Sequence, residues 1–320
     1  MPQEFQIHEL VLPDAPQGLR FDQALARALP QYSRARIKDW IDAGKVRLEG
    51  AIPMARAKVF GGERVVVEAV IESAASQVEA EDIPLEIIHA DREILIVNKP
   101  AGLTVHPGAG QANHTLQNAL LAYDPALSRV PRAGIVHRID KDTSGLLVIA
   151  RTVESQIALT RLIGAHEVER RYLAICSGVM TAGRTIDEPV GRHRTLRTRM
   201  AVRSDGRDAV THIRVLERFG AHCLVRAELE TGRTHQIRVH LAHIGHPIVG
   251  DPVYGGRMRL PRGAPEHLRA VLQGFHRQAL HAESLSLAHP ATGRTMRWTV
   301  PPPADFQRLL EALRGAVASL

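Results

Sequence analysis

The chain has 320 residues, which is enough for one large domain and a second, smaller one. Its hydrophobic content of 44% supports a packed core, and its formal net charge of +7 favours a polyanionic partner such as nucleic acid. The two cysteines, Cys176 and Cys223, are far apart and form no C-x-x-C pair, which argues against a disulfide framework and a thiolate metal site.

The amino-terminal segment, residues 1–16, contains three prolines and is predicted to be a loose tail. Its first ten residues lack the basic and apolar regions of a secretory signal. No apolar segment of the chain approaches the roughly 20 residues that cross a bilayer. We therefore expect a soluble, cytoplasmic protein without a membrane partner.

Residues 17–75 are predicted to form a small basic module of two helices and a β-hairpin. Apolar residues at helical spacing between 19 and 29 predict the first helix, and Ser33 is a suitable N-cap for the second, at 34–43. Alternating apolar and charged residues beyond the second helix, together with the run 64–70, predict the two strands.

Three short strings in this module match the marks of the S4 RNA-binding domain, which are an Arg-x-Asp opening, a Ser-Arg-x-Arg helix start and a Gly-Lys-Val exit. They read Arg20-Phe21-Asp22, Ser33-Arg34-Ala35-Arg36 and Gly44-Lys45-Val46. The module therefore resembles an S4 domain, and the resemblance implies that Arg34, Arg36 and Lys38 contact RNA. A solvated helix face is the alternative for these three cations.

Residues 76–88 are acidic and lack apolar periodicity, so they are predicted to form a flexible linker. The second domain is then expected at 89–320. Within it, the apolar run 94–97 predicts a buried strand, and the segments 116–123 and 154–163 predict helices.

A run of polar residues, His137 to Gly145, stands directly before the apolar run 146–150. The apolar run predicts a buried strand. The carboxylates of Asp140 and Asp142 then lie on a loop held by a rigid strand, which is a common position for catalytic groups. An ordinary turn, with Gly145 supplying a positive φ, is the alternative.

Two further segments carry candidate residues. The segment 169–175 predicts a strand, in which Tyr172 would by pattern fill a core. The basic segment 192–199, with Arg192 and Arg194, lies between strand-like segments and predicts a hairpin or loop that grips RNA. A solvated turn is the alternative for that segment.

The string from Leu229 to His240 and the residues after it contain four histidines, at 235, 240, 243 and 246. They suggest a metal site, but no recognised ligand spacing with a carboxylate accompanies them. We therefore predict no bound metal.

Three strings together resemble the signatures of the ribosomal large-subunit pseudouridine synthases. They are HRIDKDTSG from His137, Arg-Tyr-Leu-Ala from Arg171 and Gly-Arg-Thr-His-Gln-Ile-Arg from Gly232. The resemblance covers about residues 18–315. It implies an α+β fold, with a mixed, mostly antiparallel sheet flanked by helices and loops and a small amino-terminal S4-like domain.

The resemblance also implies roles for four residues. Asp140 falls on the catalytic aspartate of the family, and Tyr172 falls on the tyrosine that stacks on the target base. The resemblance pairs Arg233 with the catalytic aspartate and places Ile237 in the wall of the base pocket.

The chemistry of this family explains such a residue set. Converting uridine to pseudouridine breaks the N-glycosidic bond and rejoins the base through C5, so no atom is gained or lost and no cofactor is required. An ionised Asp140 can act as a nucleophile or remove a proton. A base inside a helix cannot reach such a pocket, so the target nucleotide should flip out. His137 and Arg138 then hold flanking phosphates or fill the gap.

We therefore expect an RNA pseudouridine synthase acting on 23S ribosomal RNA, in the stem-loop that faces the decoding region, and supporting ribosome biogenesis. The substrate is either free RNA or the 50S subunit or its precursor, and a monomer is the default expectation. The alternatives are a synthase of transfer RNA or another ribosomal uridine, and a non-catalytic S4-type RNA-binding or assembly protein. A metal hydrolase is a more distant third.

Overall fold

The computed structural model describes residues 4–30, 32, 34–71, 78–108, 111–196, 198–256, 260 and 263–318. The chain divides into two compact units, residues 1–77 and 78–320. Ser33, the predicted N-cap, and Arg197 in the basic segment lie outside the described residues.

The first unit contains a three-stranded antiparallel sheet in the order β1–β5–β3, a short β2–β4 pair and two helices. The two predicted helices are confirmed as α1 and α2, and the two predicted strands as β3 and β5. The elements are β1 Glu4–Val11, β2 Leu19–Arg20, α1 Phe21–Ala28, α2 Arg34–Asp42, β3 Val46–Leu48, β4 Lys58–Val59 and β5 Arg64–Ile71.

The prediction of a loose tail at residues 1–16 is wrong for residues 4–11. These residues form β1, which pairs with β5 along its whole length, from Glu4 opposite Ile71 to Val11 opposite Arg64. The three prolines of the segment lie at positions 2, 13 and 16, outside β1, so none of them removes a donor from the ladder.

The core of the first unit lies between its helices and strands. Phe21 and Leu25 of α1 and Ile37 of α2 are fully buried, together with Val46 and Val67 from the strands. The buried residues of the second helix, Ile37, Trp40 and Ile41, lie three and four positions apart and so place one face of the helix against this core. Burial of such side chains contributes roughly 1.5–3 kcal/mol each.

The second unit is built on a nine-stranded sheet, in the order β10–β13–β14–β9–β15–β8–β7–β6, with β16 paired to β15. All of its pairs are antiparallel except β8 with β15, which confirms the expected mixed, mostly antiparallel α+β fold. The strands are β6 Glu86–Ala90, β7 Ile94–Lys99, β8 Ser144–Ala150, β9 Glu169–Ser177, β10 Arg184–Asp187, β11 Val190–Arg192, β12 Met200–Val202, β13 Val210–Phe219, β14 His222–Leu229, β15 Leu280–Ala288 and β16 Thr295–Thr299; the helices are α3 Leu116–Tyr123, α4 Val153–Gly164, α5 Gln236–His243, α6 Glu266–Gly274 and α7 Ala304–Ala318.

The predicted linker at 76–88 is wrong from residue 78 onward, because this segment is bonded into the second unit. The amide of Asn118 donates to the carbonyl of Glu79 at 2.8 Å, and the Asn118 carbonyl accepts from the backbone N–H of Glu81 at 3.1 Å. Strand β6 then begins at Glu86. One residue of helix α3, through its side-chain amide and its backbone carbonyl, thus supplies partners that the acidic composition of the segment does not reveal.

The parallel contact between β8 and β15 fixes the loop that carries Asp140. Gly145, at the start of β8, has a φ of 115°, and a Cβ there would lie 2.3 Å from the carbonyl oxygen of Ala282. Only glycine permits this approach.

Across the described part of the chain, no helix has both the length and the apolarity to span a bilayer.

Candidate active site

An open cleft of about 740 Å³ lies beside the start of β8 and the first half of β9 in the second unit. Asp140 comes from the loop before β8, Tyr172 from β9, and Ile237 from the first turn of α5. The three strings singled out in the sequence, which are far apart along the chain, therefore meet in one place.

A buried lysine holds the backbone of the loop that carries Asp140. The Lys99 ammonium, at the end of β7, is fully buried and donates to the carbonyls of Pro100, Leu103 and Lys141 at 2.7, 2.8 and 2.9 Å. Burial lowers the pKa of Lys99 to about 7, although the charges of Asp142 and Asp140 oppose this. No sequence pattern indicated this role, since lysines are seldom fully buried.

The segment before β15 holds the same loop from the other side. Arg277 donates to the carbonyl of Asp142 at 3.2 Å, and the Gln278 amide donates to the Thr143 hydroxyl at 3.0 Å. Further along, the hydroxyl of Ser144 and Nδ1 of His281 are 2.9 Å apart. The backbone behind Asp140 is thus fixed, which is the arrangement that a preorganised site requires.

Arg238, and not Arg233, is the ion-pair partner of Asp140. Nη1 of Arg238 donates to Oδ2 of Asp140 at 2.9 Å, whereas Nε of Arg233 donates to the backbone carbonyl of Asp208 at 2.9 Å. His235, with a φ of 57°, precedes α5, so Arg238 lies in the first turn of the helix, while Arg233 remains in the loop. The pairing predicted for Arg233 is therefore wrong.

Arg238 is held by a second carboxylate that the sequence reasoning did not assign. Its Nε and Nη2 donate to the two oxygens of Asp251 at 2.7 and 2.9 Å, and its guanidinium carbon lies 5.0 Å from the centre of the Tyr254 ring. Burial alone would raise the pKa of Asp251, but the bonds from Arg238 outweigh burial and lower it. The Gly250-Asp251-Pro252 string was visible in the sequence, but it carried no chemical argument there.

His235 also approaches the catalytic carboxylate, with its Nε2 3.8 Å from Oδ1 of Asp140. Its Nδ1 lies 2.8 Å from the hydroxyl of Tyr254, which itself accepts the backbone N–H of Met200 at 2.8 Å. The Tyr254 hydroxyl thus joins the ring of His235 to the backbone of β12.

The remaining residues predicted for the cleft all line it. Tyr172 is buried, and burial raises the pKa of its phenol. Ile237 is buried in the wall, and Arg138 is exposed at the mouth. His137 accepts the backbone N–H of Val148 with its Nε2 at 3.1 Å. Burial, followed by the charge of Arg170, lowers the pKa of His137 to about 3, so its ring is neutral at physiological pH.

The basic segment at 192–199 includes a hairpin, as predicted: β11 pairs with β12, and Arg192 ends the first strand. Arg192 and Arg194 are exposed. Neither lines the cleft, so the structure does not bring them to Asp140.

The three cations that were predicted to contact RNA from the second helix lie on α2 of the first unit. Arg34 donates to the buried Asp22 at 2.9 Å, so this side chain has a structural partner. Arg36 lies over the ring of Trp40, at 5.8 Å from its centre, and Lys38 pairs with Asp42 one turn along α2.

Comparison with known proteins places the chain among enzymes of one kind. The model of the RNA pseudouridylate synthase family matches residues 93–243. The ribosomal large subunit pseudouridine synthase D of Xanthomonas campestris pv. campestris is 51% identical over 313 residues, or 98% of this chain and 94% of that protein. The protein of the same name from Escherichia coli K12 is 53% identical over 299 residues, or 93% and 91% of the two chains.

A solved structure gives the same result for the fold. Human RNA pseudouridylate synthase domain containing 4 aligns with a TM-score of 0.57 and 26% identity, over 71% of this chain and 92% of the human one.

Proposed function

The chain belongs to the family of RNA pseudouridylate synthases, and from this premise we propose that it isomerises uridine to pseudouridine in large-subunit ribosomal RNA. The relatives that match nearly the whole chain are named for that activity. The observation that carries the proposal is the Asp140 carboxylate, paired to Arg238 in a cleft whose rim is basic. Exposed arginines supply that rim, at positions 132, 138 and 207.

Asp140 is the reacting group in this proposal. Arg238 binds its Oδ2 and leaves Oδ1 toward the cleft, where it can attack the sugar or remove a proton. Asp251 holds the Arg238 guanidinium in place, and Arg238 in turn fixes the orientation of the Asp140 carboxylate before the substrate arrives. Arg238 thus takes the role first expected of Arg233.

Tyr172 and Ile237 form the binding surface for the flipped base. The tyrosine ring offers a stacking face, and the isoleucine excludes water from the detached uracil. Arg138 and Arg233 lie nearer the mouth and suit the flanking phosphates. His137 is neutral and offers Nδ1–H as a donor, so we place it beside the substrate as a hydrogen-bond donor and not as a phosphate-binding cation.

RNA contacts outside the cleft are part of the same proposal. Arg36 and Lys38 on α2, and Arg192 and Arg194 on the β11–β12 hairpin, supply affinity and register through phosphates. The target uridines are proposed to lie in the 23S stem-loop that faces the decoding region, and the protein is proposed to act as a cytoplasmic monomer.

The test uses large-subunit ribosomal RNA and precursor particles from cells that lack the protein. Purified protein is added, and pseudouridine is mapped by carbodiimide labelling and primer extension, with Asp140→Asn as the matched variant. We expect new stops in the proposed stem-loop with the wild type and none with Asp140→Asn, while both bind RNA equally.

Primer-extension stops produced by Asp140→Asn would show that Asp140 is not required for the reaction. Stops elsewhere in the RNA would correct the target site. Stops on transfer RNA alone would replace the substrate, and wild-type protein that binds RNA without modifying any of these substrates would favour the non-catalytic binding protein.

A further inference from the structure

The cleft contains two buried arginines whose partners differ sharply. Arg238 is 4% exposed and is neutralised by the carboxylates of Asp140 and Asp251. Arg170 is 6% exposed and makes one hydrogen bond, from Nη2 to the carbonyl oxygen of Glu230 at 3.1 Å. Its Nε has no partner, and among the described residues no carboxylate pairs with it.

The fold makes room for this guanidinium beside the proposed base-binding surface. Arg170 and Tyr172 are alternate residues of β9, so both side chains project from the same face of the sheet and line the cleft. A Cβ at Gly232 would lie 2.7 Å from Nη1 of Arg170. The glycine of the third string therefore leaves the space that the guanidinium occupies.

A buried, unpaired charge is costly, since it loses its water without gaining a counter-charge. Such a group is retained where something outside the chain supplies the missing negative charge. Flanking phosphates are a poor match for this position, because they stay near solvent, where the exposed arginines of the rim lie. The buried position next to Tyr172 is where the base itself enters.

We propose that Arg170 stabilises the uracil anion that forms when the N1–C1′ bond of the target uridine breaks. This inference rests on the proposed function. The electron pair of the broken bond stays on N1, and its charge spreads to O2 and O4 of the ring. The Asp140 carboxylate bonds to C1′ as the N1–C1′ bond breaks, and this new bond breaks in turn when C5 bonds to C1′, so the carboxylate is restored. C5 then loses its proton and N1 gains one, so the proton count of the base is unchanged.

The charge on the base exists only after the bond begins to break. Arg170 therefore interacts more strongly with the transition state than with the neutral base of bound RNA, and its contribution falls on the rate and not on affinity. The same charge reaches its neighbours, since Arg170 contributes to the lowered pKa of His137 and opposes the rise at Tyr172.

The first experiment measures single-turnover rates at saturating enzyme with a large-subunit RNA transcript. We expect Arg170→Met to slow pseudouridine formation by roughly 10²-fold, as for loss of one oxyanion donor, with the Kd for RNA unchanged. Arg170→Lys keeps the charge without the planar fork and should recover part of the rate. The matched control is Arg171→Met, one residue along β9, where the side chain pairs with Glu228; its rate should equal that of the wild type.

The second experiment changes the stability of the leaving anion. Fluorine at C5 stabilises the uracil anion, so consumption of 5-fluorouridine in the transcript should be less sensitive to Arg170→Met than consumption of uridine. A structural defect would slow both substrates by the same factor. Equal factors would therefore overturn the proposal.

Thermal unfolding gives the third readout. Arg170→Met removes an unpaired charge, and the Glu230 carbonyl keeps its contact with His166, so the Tm should stay equal or rise. A lowered Tm with lost activity would assign Arg170 to packing, and a defect only in Kd would assign it to phosphate binding. Wild-type activity with an equally active Arg170→Met would defeat this inference alone, whereas an inactive wild type would defeat the proposed function as well.

Discussion

Lys38 on helix α2 pairs with Asp42, and Arg238 in the cleft pairs with Asp251. The first pair is exposed to solvent, whereas the second is buried. The side chains of Lys38 and Asp42 are 54% and 53% exposed, whereas those of Arg238 and Asp251 are 5% and 0% exposed. Water and salt screen the first pair, so it contributes little to folding. The second pair is buried, so solvent water cannot replace a partner that is removed. Removal of either member therefore leaves a buried charge unpaired.

Substitutions in these two regions are therefore expected to have different effects. A change in the Arg238–Asp251 pair is expected to alter stability and geometry together, because each member is buried and held by the other. A change on α2 is expected to alter RNA affinity in small, salt-dependent amounts.

Arg238→Met should lose activity and about 3–5 kcal/mol of unfolding free energy, because Asp251 is left buried and charged. Arg238→Met combined with Asp251→Asn removes both charges, and the asparagine oxygen can still accept the N–H groups of Val253 and Tyr254. We expect the double variant to regain most of the stability but none of the activity. Chemical denaturation and single-turnover assays measure the two quantities. A double variant no more stable than the single one would contradict the charge argument.

Lys99→Met should lower the unfolding free energy by about 2 kcal/mol or more, because three carbonyls lose the buried ammonium that donates to them. The Asp140 loop should also become less well fixed, so the rate should fall while RNA affinity is kept. Denaturation and single-turnover assays again provide the measurement. Lys141→Met is the control, since its side chain is exposed and only its carbonyl takes part in the network. Equal stability of Lys99→Met and wild type would show that the carbonyls find other donors.

These cleft residues also show where sequence reasoning ends. Periodicity located helix α3 at residues 116–123 and the strand after Asp140, because local spacing reports which face of an element is buried. The choice between Arg233 and Arg238 depended on where α5 begins, and that is set by the left-handed backbone of His235.

The roles of Arg170 and Asp251 could not be predicted for a different reason. Each follows from partners that are present or missing in three dimensions, and a charged residue in a sequence looks the same whether it is paired, unpaired, buried or exposed. Strand β1 was missed in the same way, because its partner β5 lies more than fifty residues away along the chain.

His137 should make the folded state sensitive to acid. Its pKa is about 3 in the folded protein, below its usual value of 6.5, so between these pH values the unfolded chain takes up a proton and the folded chain does not. Its contribution to stability is therefore complete above pH 6.5 and is lost as the pH falls toward 3. His137→Gln keeps an acceptor for the Val148 N–H and should flatten this part of the pH dependence. His276→Gln, at an exposed position, is the control, and identical slopes for the His137 variant and wild type would contradict the prediction.

The smallest effect is expected on the exposed helix. Arg36→Ala combined with Lys38→Ala should leave the single-turnover rate at saturating enzyme unchanged, because neither side chain lines the cleft. RNA affinity should fall several-fold, and the slope of log K against log salt should become shallower by about 1 to 2, since each phosphate contact contributes close to one ion to that slope. Arg34→Ala is the informative partner, because Arg34 holds the buried Asp22 and its removal should lower the Tm as well. Binding isotherms at several salt concentrations decide the matter: an unchanged slope in the double variant would mean that α2 is a solvated face, and that the RNA is gripped elsewhere.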